Sequence, residues 1–448
     1  MATPRAYELV VWGASGFTGR LACEYLSRWY APQDRGGPNA ETREQGPGLR
    51  GVRWAMAGRN ASKLASVREK IERAYPHVAG KIPIILGSTD DPASLEAIAS
   101  STSVVLSFAG PFQKAGRPLV AACVKCGTDY LDITGEPTFV RSVIDEHDET
   151  AKNAGVCIVN CVGYDSVPWD LGAWAAAGWI KNRGDECVHA RGLVGATRGG
   201  ISGGTFASAL DLFAMTPWHE LRAMASAHFL TADDSDKDVR REWRLQSTPI
   251  FDPDANAWTM PSIMAGVNSK IVARSARVSL PFSSGGVYPC SFVYDEGHAL
   301  RGSFLAACAG CAVLACFGAS LAFPPTRWLL RRFILPKPGQ GPSEETRETG
   351  FAHTYVFAHG AKASTPTAVA RLQFKSCDPG YKGTAALAIE AALCLAMPDS
   401  RKGTPGAKAG GGCLTPATAL GPTLVDRLNA TNLFEFEVGA LGDFKIVV

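Results

Sequence analysis

Three glycines at three-residue spacing, in Gly13-Ala14-Ser15-Gly16-Phe17-Thr18-Gly19, stand between a strand-like apolar run at 8–12 and a helix-like run at 17–30. Without side chains the backbone can turn sharply and come close to a pyrophosphate, whose charge then meets free N–H groups at the helix N-terminus. The spacing is G-x-x-G-x-x-G rather than G-x-G-x-x-G, so its weight comes from context. Strand-like runs follow at 52–57, 82–86, 103–108, 130–133 and 156–159, and helix-like runs at 61–75, 92–100, 117–126 and 138–153. Alternation of this kind predicts a parallel sheet covered on both faces, and short, nearly all-apolar strands suit such burial. The Gly-, Pro- and charge-rich stretch 32–50 reads as an exposed insertion in the first crossover.

After Pro168 the regularity ends. Gly-rich turns at 199–204 and strand-like runs near 270–280 and 367–374 predict a second, α+β domain on an antiparallel sheet. The stretches 339–349 and 400–412 read as loops, and 424–428 as the beginning of a final helix. The expected class is α/β, with a Rossmann-type doubly wound sheet over 1–170, which 413–448 would complete, and a substrate domain over 171–412.

Lys and Arg number 45 against 42 Asp and Glu, spread along the chain, so no field of one sign is available to hold nucleic acid. Thirteen scattered cysteines and no signal-peptide pattern in the first thirty residues suggest free thiols in a reducing compartment. Cys123-x2-Cys126 and Cys308-x2-Cys311 lie in apolar helical runs, and no metal is expected of them.

The second strand ends Ala57-Gly58-Arg59-Asn60. An acid there would hold the ribose 2′-hydroxyl of NAD and repel a 2′-phosphate; here a guanidinium stands instead, which favours NADP over NAD. Asp90, after the third strand, is placed either to accept from the adenine amino group or to cap the next helix. Phe108-Ala109-Gly110-Pro111 turns the chain at the carboxyl edge of the sheet, with Ala109 and Gly110 near the nicotinamide ribose. Glu136, in Thr134-Gly135-Glu136-Pro137, and Tyr164 and Asp165, in Gly163-Tyr164-Asp165-Ser166-Val167-Pro168, lie at the same edge by strand order. They are the candidate proton donors, with Asp165 and Ser166 capping the following helix, and Glu136 facing water, as the alternative. None of the ten tyrosines has a lysine four residues on, so Tyr-x-x-x-Lys chemistry is disfavoured.

Residues 302–323 carry no charge and run into Pro324-Pro325, then Trp328-Leu329-Leu330 among Arg327, Arg331 and Arg332. About 20 apolar residues suffice to cross a bilayer, and a Trp/Arg border suits its interface. A membrane-embedded helix or hairpin over 302–335 is the expectation; a buried core helix is the alternative.

Together the segments 9–19, 57–59, 132–137 and 163–172, with Leu414-Thr415-Pro416 before Asp426-Arg427-Leu428, resemble the saccharopine dehydrogenase-like oxidoreductases. That family is related to saccharopine reductases and trans-acting enoyl reductases. The resemblance implies a Rossmann domain, a saccharopine-reductase-like domain and association with lipid droplets or other membranes. The expected activity is NADP-dependent hydride transfer on a carbonyl, imine or enoyl group of a small-molecule or lipid-linked substrate. The chain is expected inside the cell, on a lipid-droplet or organelle membrane, as a homodimer. A non-catalytic NADP(H)-binding protein on a lipid surface and a true saccharopine reductase of lysine metabolism are the alternatives.

Overall fold

In the first strand Leu9 and Val11 are buried in one hydrophobic core and Val10 and Trp12 in another. Only a strand covered on both faces can bury every successive side chain. The computed structural model describes residues 5–30, 51–199, 216–231, 243–278, 286–330 and 341–448, with Leu210, Ala214 and Arg332 besides. The insertion expected at 32–50 and most of the turn at 199–204 lie outside these residues, as do 331 and 333–340.

The first sheet contains β1 (Tyr7–Trp12), β2 (Trp54–Gly58), β3 (Ile84–Leu86), β4 (Thr102–Ser107), β5 (Asp129–Asp132), β6 (Cys157–Val159) and β13 (Gly412–Leu414). Its order is β13-β6-β5-β4-β1-β2-β3, with every pairing parallel. Connections reverse direction between β1 and β4, which opens a crevice at their carboxyl ends, the place where open α/β sheets bind ligands. Helices Phe17–Trp29, Ala61–Ala74 and Thr384–Ala396 supply one core; Pro92–Ser101, Arg117–Lys125 and Pro137–Ala154 supply the other. Strand and helix bounds up to residue 159 fall within two residues of those the sequence predicts. Local chemistry explains why: the Asn60 side chain accepts from Lys63 N at 2.9 Å to start the second helix, and Gly155, at φ 65°, ends the helix Pro137–Ala154.

The second sheet joins β7 (Cys187–Arg198), β8 (Ile250–Asp252), β9 (Ala257–Pro261), β10 (Val293–Leu300), β11 (Phe351–Gly360), β12 (Ala368–Phe374) and β14 (Phe434–Ala440) in the order β14-β12-β11-β7-β10-β9-β8. It is mixed rather than purely antiparallel, because β7 and β10 run parallel. Helix Val167–Lys181 leaves the carboxyl edge of the first sheet and lies on β11 and β12 of the second. A side chain at Gly172 would fall 2.6 Å from Val356 Cγ2, so the glycine permits that close packing. The carboxyl-terminal stretch divides, β13 extending the first sheet and β14 edging the second.

Several expectations after Pro168 are corrected. The run at 270–280 is not a strand as far as it is described: Ala265–Val278 is helical, and Asn268, Val272 and Ser275 recur on one buried face at helical spacing. β-branched residues suggested a strand, but the two alanines among them, Ala273 and Ala276, sit easily in a helix. Within the stretches read as loops, Glu344–Thr349, Pro398–Gly403 and Pro405–Lys408 are short helices. The last helix begins at Pro416, where Thr415 and Thr418 form a capping box, and a strand follows it.

The apolar segment forms a helix, Phe304–Ala322, and a short second one, Pro324–Leu329, separated by Phe323. Among the described residues it is the one helix long and apolar enough to cross a membrane, and only 11% of Phe304–Leu321 is buried. That exposure removes the buried core helix as an account of its composition.

Candidate functional site

The turn after β1 is held against the turn after β4. Gly13, at φ 79°, adopts a backbone conformation that L side chains resist, and a Cβ there would fall 2.9 Å from Ala109 N. Gly13 N donates to Ala57 O at 3.0 Å, Gly16 N donates to Gly13 O at 2.9 Å, and Phe108 N donates to Trp12 O at 2.9 Å. Gly19 packs on Gly13 O with no room for a side chain. Ala14 is buried, Ser15 and Thr18 are half-buried, and Gly16 is exposed at the N-cap with no side chain bonded to the helix start. The first amides of Phe17–Trp29 are therefore free to meet an anion. The Phe17 ring turns away toward Tyr381, edge-on at 5.3 Å.

Arg59 is exposed at the end of β2 and makes no ion pair or hydrogen bond among the described residues. Asp90 is also exposed and lies beside the Ser88 hydroxyl at 3.5 Å. It does not cap the next helix; Asp91 does, accepting from Ser94 N. Ala109 and Gly110 lie at the switch point, Ala109 against Gly13.

Glu136 does not face water. It is buried, and its two carboxylate oxygens accept from Phe112 N at 3.0 Å and Gln113 N at 2.8 Å, fastening the turn after β4 to the turn after β5. Its oxygens are thus committed to backbone amides. Nor do Asp165 and Ser166 cap the following helix, whose N-cap Ser166 makes no side-chain cap bond. The Ser166 hydroxyl instead donates to Asn268 Oδ1 at 3.2 Å. The Asp165 carboxylate has no hydrogen bond among the described residues, and burial pushes its pKa up to about 6. Tyr164 packs edge-on against Phe374 at 5.2 Å, with its phenol beside Thr197; burial, then the charges of Asp165 and Glu296, push its pKa above the usual value. Asp132, entirely buried and raised to about 6 by desolvation, accepts from Thr134 N at 3.0 Å and Asn160 Nδ2 at 2.7 Å, which stiffens the same edge.

This arrangement fits NADP: a side-chain-free cradle at Gly13 and Gly19, an uncapped helix start, and an unpaired guanidinium at the end of β2 with no acid beside it. A Mycobacterium tuberculosis protein named as a trans-acting enoyl reductase is 33% identical over 449 residues, covering 96% of this chain and 97% of its own. The chain belongs to the saccharopine dehydrogenase-like oxidoreductase family. A Mycobacterium ulcerans protein named trans-acting enoyl reductase is 30% identical over 447 residues with the same coverage. The family model described as the saccharopine dehydrogenase NADP binding domain matches residues 42–159. A solved saccharopine dehydrogenase (L-Glu forming) of Saccharomyces cerevisiae aligns over 96% of this chain and 99% of its own, at a TM-score of 0.44 and 11% identity. Like its family, this oxidoreductase uses NADP.

Sequence reasoning missed the residues that the second half of this oxidoreductase brings to the site. Asn268 and Glu296 reach it from a helix and a strand more than a hundred residues beyond Asp165, and neither sits in a glycine turn or a recognisable motif. Met264 lies over the β5 turn, its Cε 3.9 Å from where a Gly135 side chain would begin. The one signal in the chain was a glutamate in Tyr294-Asp295-Glu296, at a strand position whose alternation with Tyr294 marks a buried face.

Proposed function

We propose that this oxidoreductase reduces an enoyl, carbonyl or imine group on a lipid-linked substrate, working at a membrane or lipid-droplet surface. The names of its relatives favour the enoyl group. The observation that carries the reading is a line of apolar contacts that leads from the exposed helix toward the turn after β5. Phe304 packs on Trp258 at 4.9 Å, and Gly310 lies against the Met260 sulfur. The same chain segment then runs through exposed Ile263 to Met264 over Gly135. An acyl chain laid along this line would keep its apolar surface out of water, at about 0.8 kcal/mol per buried CH2.

NADP supplies the hydride when bound. The protein's own residues do the rest: the glycine turn and helix start hold the pyrophosphate, Arg59 pairs with the 2′-phosphate, and Asp165 delivers a proton to the substrate atom that gains negative charge. Asp165 suits this task because its carboxylate is half-buried and takes no hydrogen bond among the described residues, so a proton on it is not already shared.

The test is NADPH consumption with long-chain enoyl, carbonyl and imine substrates carried in phospholipid vesicles, together with flotation of the protein on those vesicles. Leu305→Asp with Val313→Asp, both on the exposed helix, should abolish flotation and turnover of vesicle-borne substrate while leaving NADPH binding intact. Equal turnover without vesicles, or oxidation of saccharopine in solution, would overturn the lipid reading.

A further inference from the structure

The glycine turn carries no cation of its own. Every side chain between Gly13 and Gly19 is neutral, and Arg20, the next residue, is shared with Glu24 at 3.6 Å. The diphosphate of a dinucleotide brings two negative charges here, while a helix start offers only about half an elementary charge. The second half of the chain supplies a further cation.

Gly341 lies so close on the Phe17 ring that a Cβ there would fall 2.5 Å from it. Arg347 follows in the helix Glu344–Thr349, half-buried, with its guanidinium carbon 5.6 Å from the centre of the same ring. A closed circuit of contacts fixes its place. Asp378 N donates to Arg347 O at 3.0 Å, the Asp378 carboxylate accepts from Tyr381 N at 2.9 Å and Lys382 N at 3.0 Å, and the Tyr381 ring meets Phe17 edge-on at 5.3 Å. Within the guanidinium, Nη1 donates to Pro342 O at 2.7 Å.

No carboxylate holds the remaining N–H groups. Glu24 has Arg20, Glu348 has Lys382, Asp378 is bonded to backbone amides, and Glu344 and Glu345 are exposed. Arg347 itself makes no ion pair among the described residues. Phe17 is the first residue of the helix whose uncapped amides are free to meet an anion, so this guanidinium stands one aromatic ring away from them.

We propose that Arg347 is a cofactor-binding residue: its free N–H groups pair with the diphosphate of NADP laid across the start of the helix Phe17–Trp29. A guanidinium suits the task because its planar fork matches two phosphate oxygens at once. The diphosphate is common to NADP and NAD, so Arg347 strengthens the binding of both, unlike Arg59, which answers to the 2′-phosphate.

This inference rests on the use of NADP and not on the lipid-linked reduction, and its test needs no substrate. Calorimetry on the full chain compares NADPH, NADH and adenosine 2′-monophosphate, which has no diphosphate. Arg347→Gln keeps an N–H donor and removes the charge. It should weaken NADPH and NADH by the same factor, about tenfold or more, the scale of a lost charge-assisted hydrogen bond. Adenosine 2′-monophosphate should bind as it does to wild type. The loss should shrink as salt is raised, because salt screens charge and not packing. Arg347→Lys, which keeps the charge without the fork, should recover part of the affinity for both dinucleotides. It also carries the test if the glutamine variant does not fold, through a smaller but equal weakening of NADPH and NADH. Unchanged dinucleotide binding, equal weakening of all three ligands, or a loss indifferent to salt would overturn the proposal. Failure of the vesicle assay would leave these affinities as they are.

Discussion

The Ser166 hydroxyl donates to Asn268 Oδ1 at 3.2 Å, and through this bond the loop after β6 of the dinucleotide-binding sheet is tied to the helix Ala265–Val278, which lies against β10 of the second sheet. The surroundings of Asp165, the proposed proton donor, are therefore assembled from both halves of the chain. The glycine turns of the cofactor end come from the first half, with Gly341, Arg347 and Tyr381 of the second half packed around Phe17. Variants at the two ends should separate chemistry from binding.

Asp165→Asn removes a half-buried carboxylate that bonds to nothing among the described residues. The fold should be as stable as wild type in a thermal melt, and NADPH affinity by calorimetry should be unchanged. Turnover should fall by about 10²- to 10⁴-fold, the range for loss of a general acid. Undiminished turnover would remove Asp165 from the reaction.

Gly13→Ala places a methyl group 2.9 Å from Ala109 N on a backbone at φ 79°. Left-handed backbone alone costs about 1–2 kcal/mol for a non-glycine residue, and relieving the clash must push the turns after β1 and β4 apart. A lower melting temperature and at least about tenfold weaker NADPH binding are expected, since about 1.4 kcal/mol is a factor of ten.

Arg59→Ala should act on the nucleotide and not on the fold. The side chain is exposed and unpaired among the described residues, so its removal leaves stability unchanged. Loss of a charge-assisted hydrogen bond, about 1.5–3 kcal/mol, should weaken NADPH binding by about ten- to a hundredfold while NADH binding stays the same. Calorimetry with both nucleotides checks the selectivity.

Lys270 is buried, and desolvation lowers its pKa to about 8. Between about pH 8 and the unfolded value near 10.4 the unfolded chain binds more protons, so stability should rise with pH across that window. Lys270→Met should abolish this rise and raise stability at pH 7 by about 1–3 kcal/mol, because an ammonium no longer has to be buried. Urea melts of both proteins at pH 7 and pH 10 measure the difference.

Much of the first sheet was legible in the chain. A strand buried on both faces must be apolar throughout, a glycine turn must be glycine where φ is positive, and a helix after such a turn needs nothing beyond its own first residues. The apolar helix Phe304–Ala322 was legible for the same reason, composition over a continuous stretch. Past Pro168 the same reasoning faltered. Ala265–Val278 carries β-branched residues that suit a strand, and only its packing against helix Val167–Lys181 and β10 decides for the helix. Glu136 was found by its place after β5, but its two bonds to Phe112 and Gln113 depend on a neighbouring turn 23 and 24 residues away.

The sequence by itself determined the alternating first sheet, the glycine cradle, the guanidinium proposed to select NADP and the apolar helix, because each depends on a few consecutive residues and on separating apolar from polar surface. Tertiary structure alone decided which carboxylate stays free. Asp165, Glu136 and Glu296 are chemically alike along the chain; folding gives two of them hydrogen-bond donors from distant segments and leaves the third, half-buried Asp165, with none among the described residues, and loss of water makes that difference count.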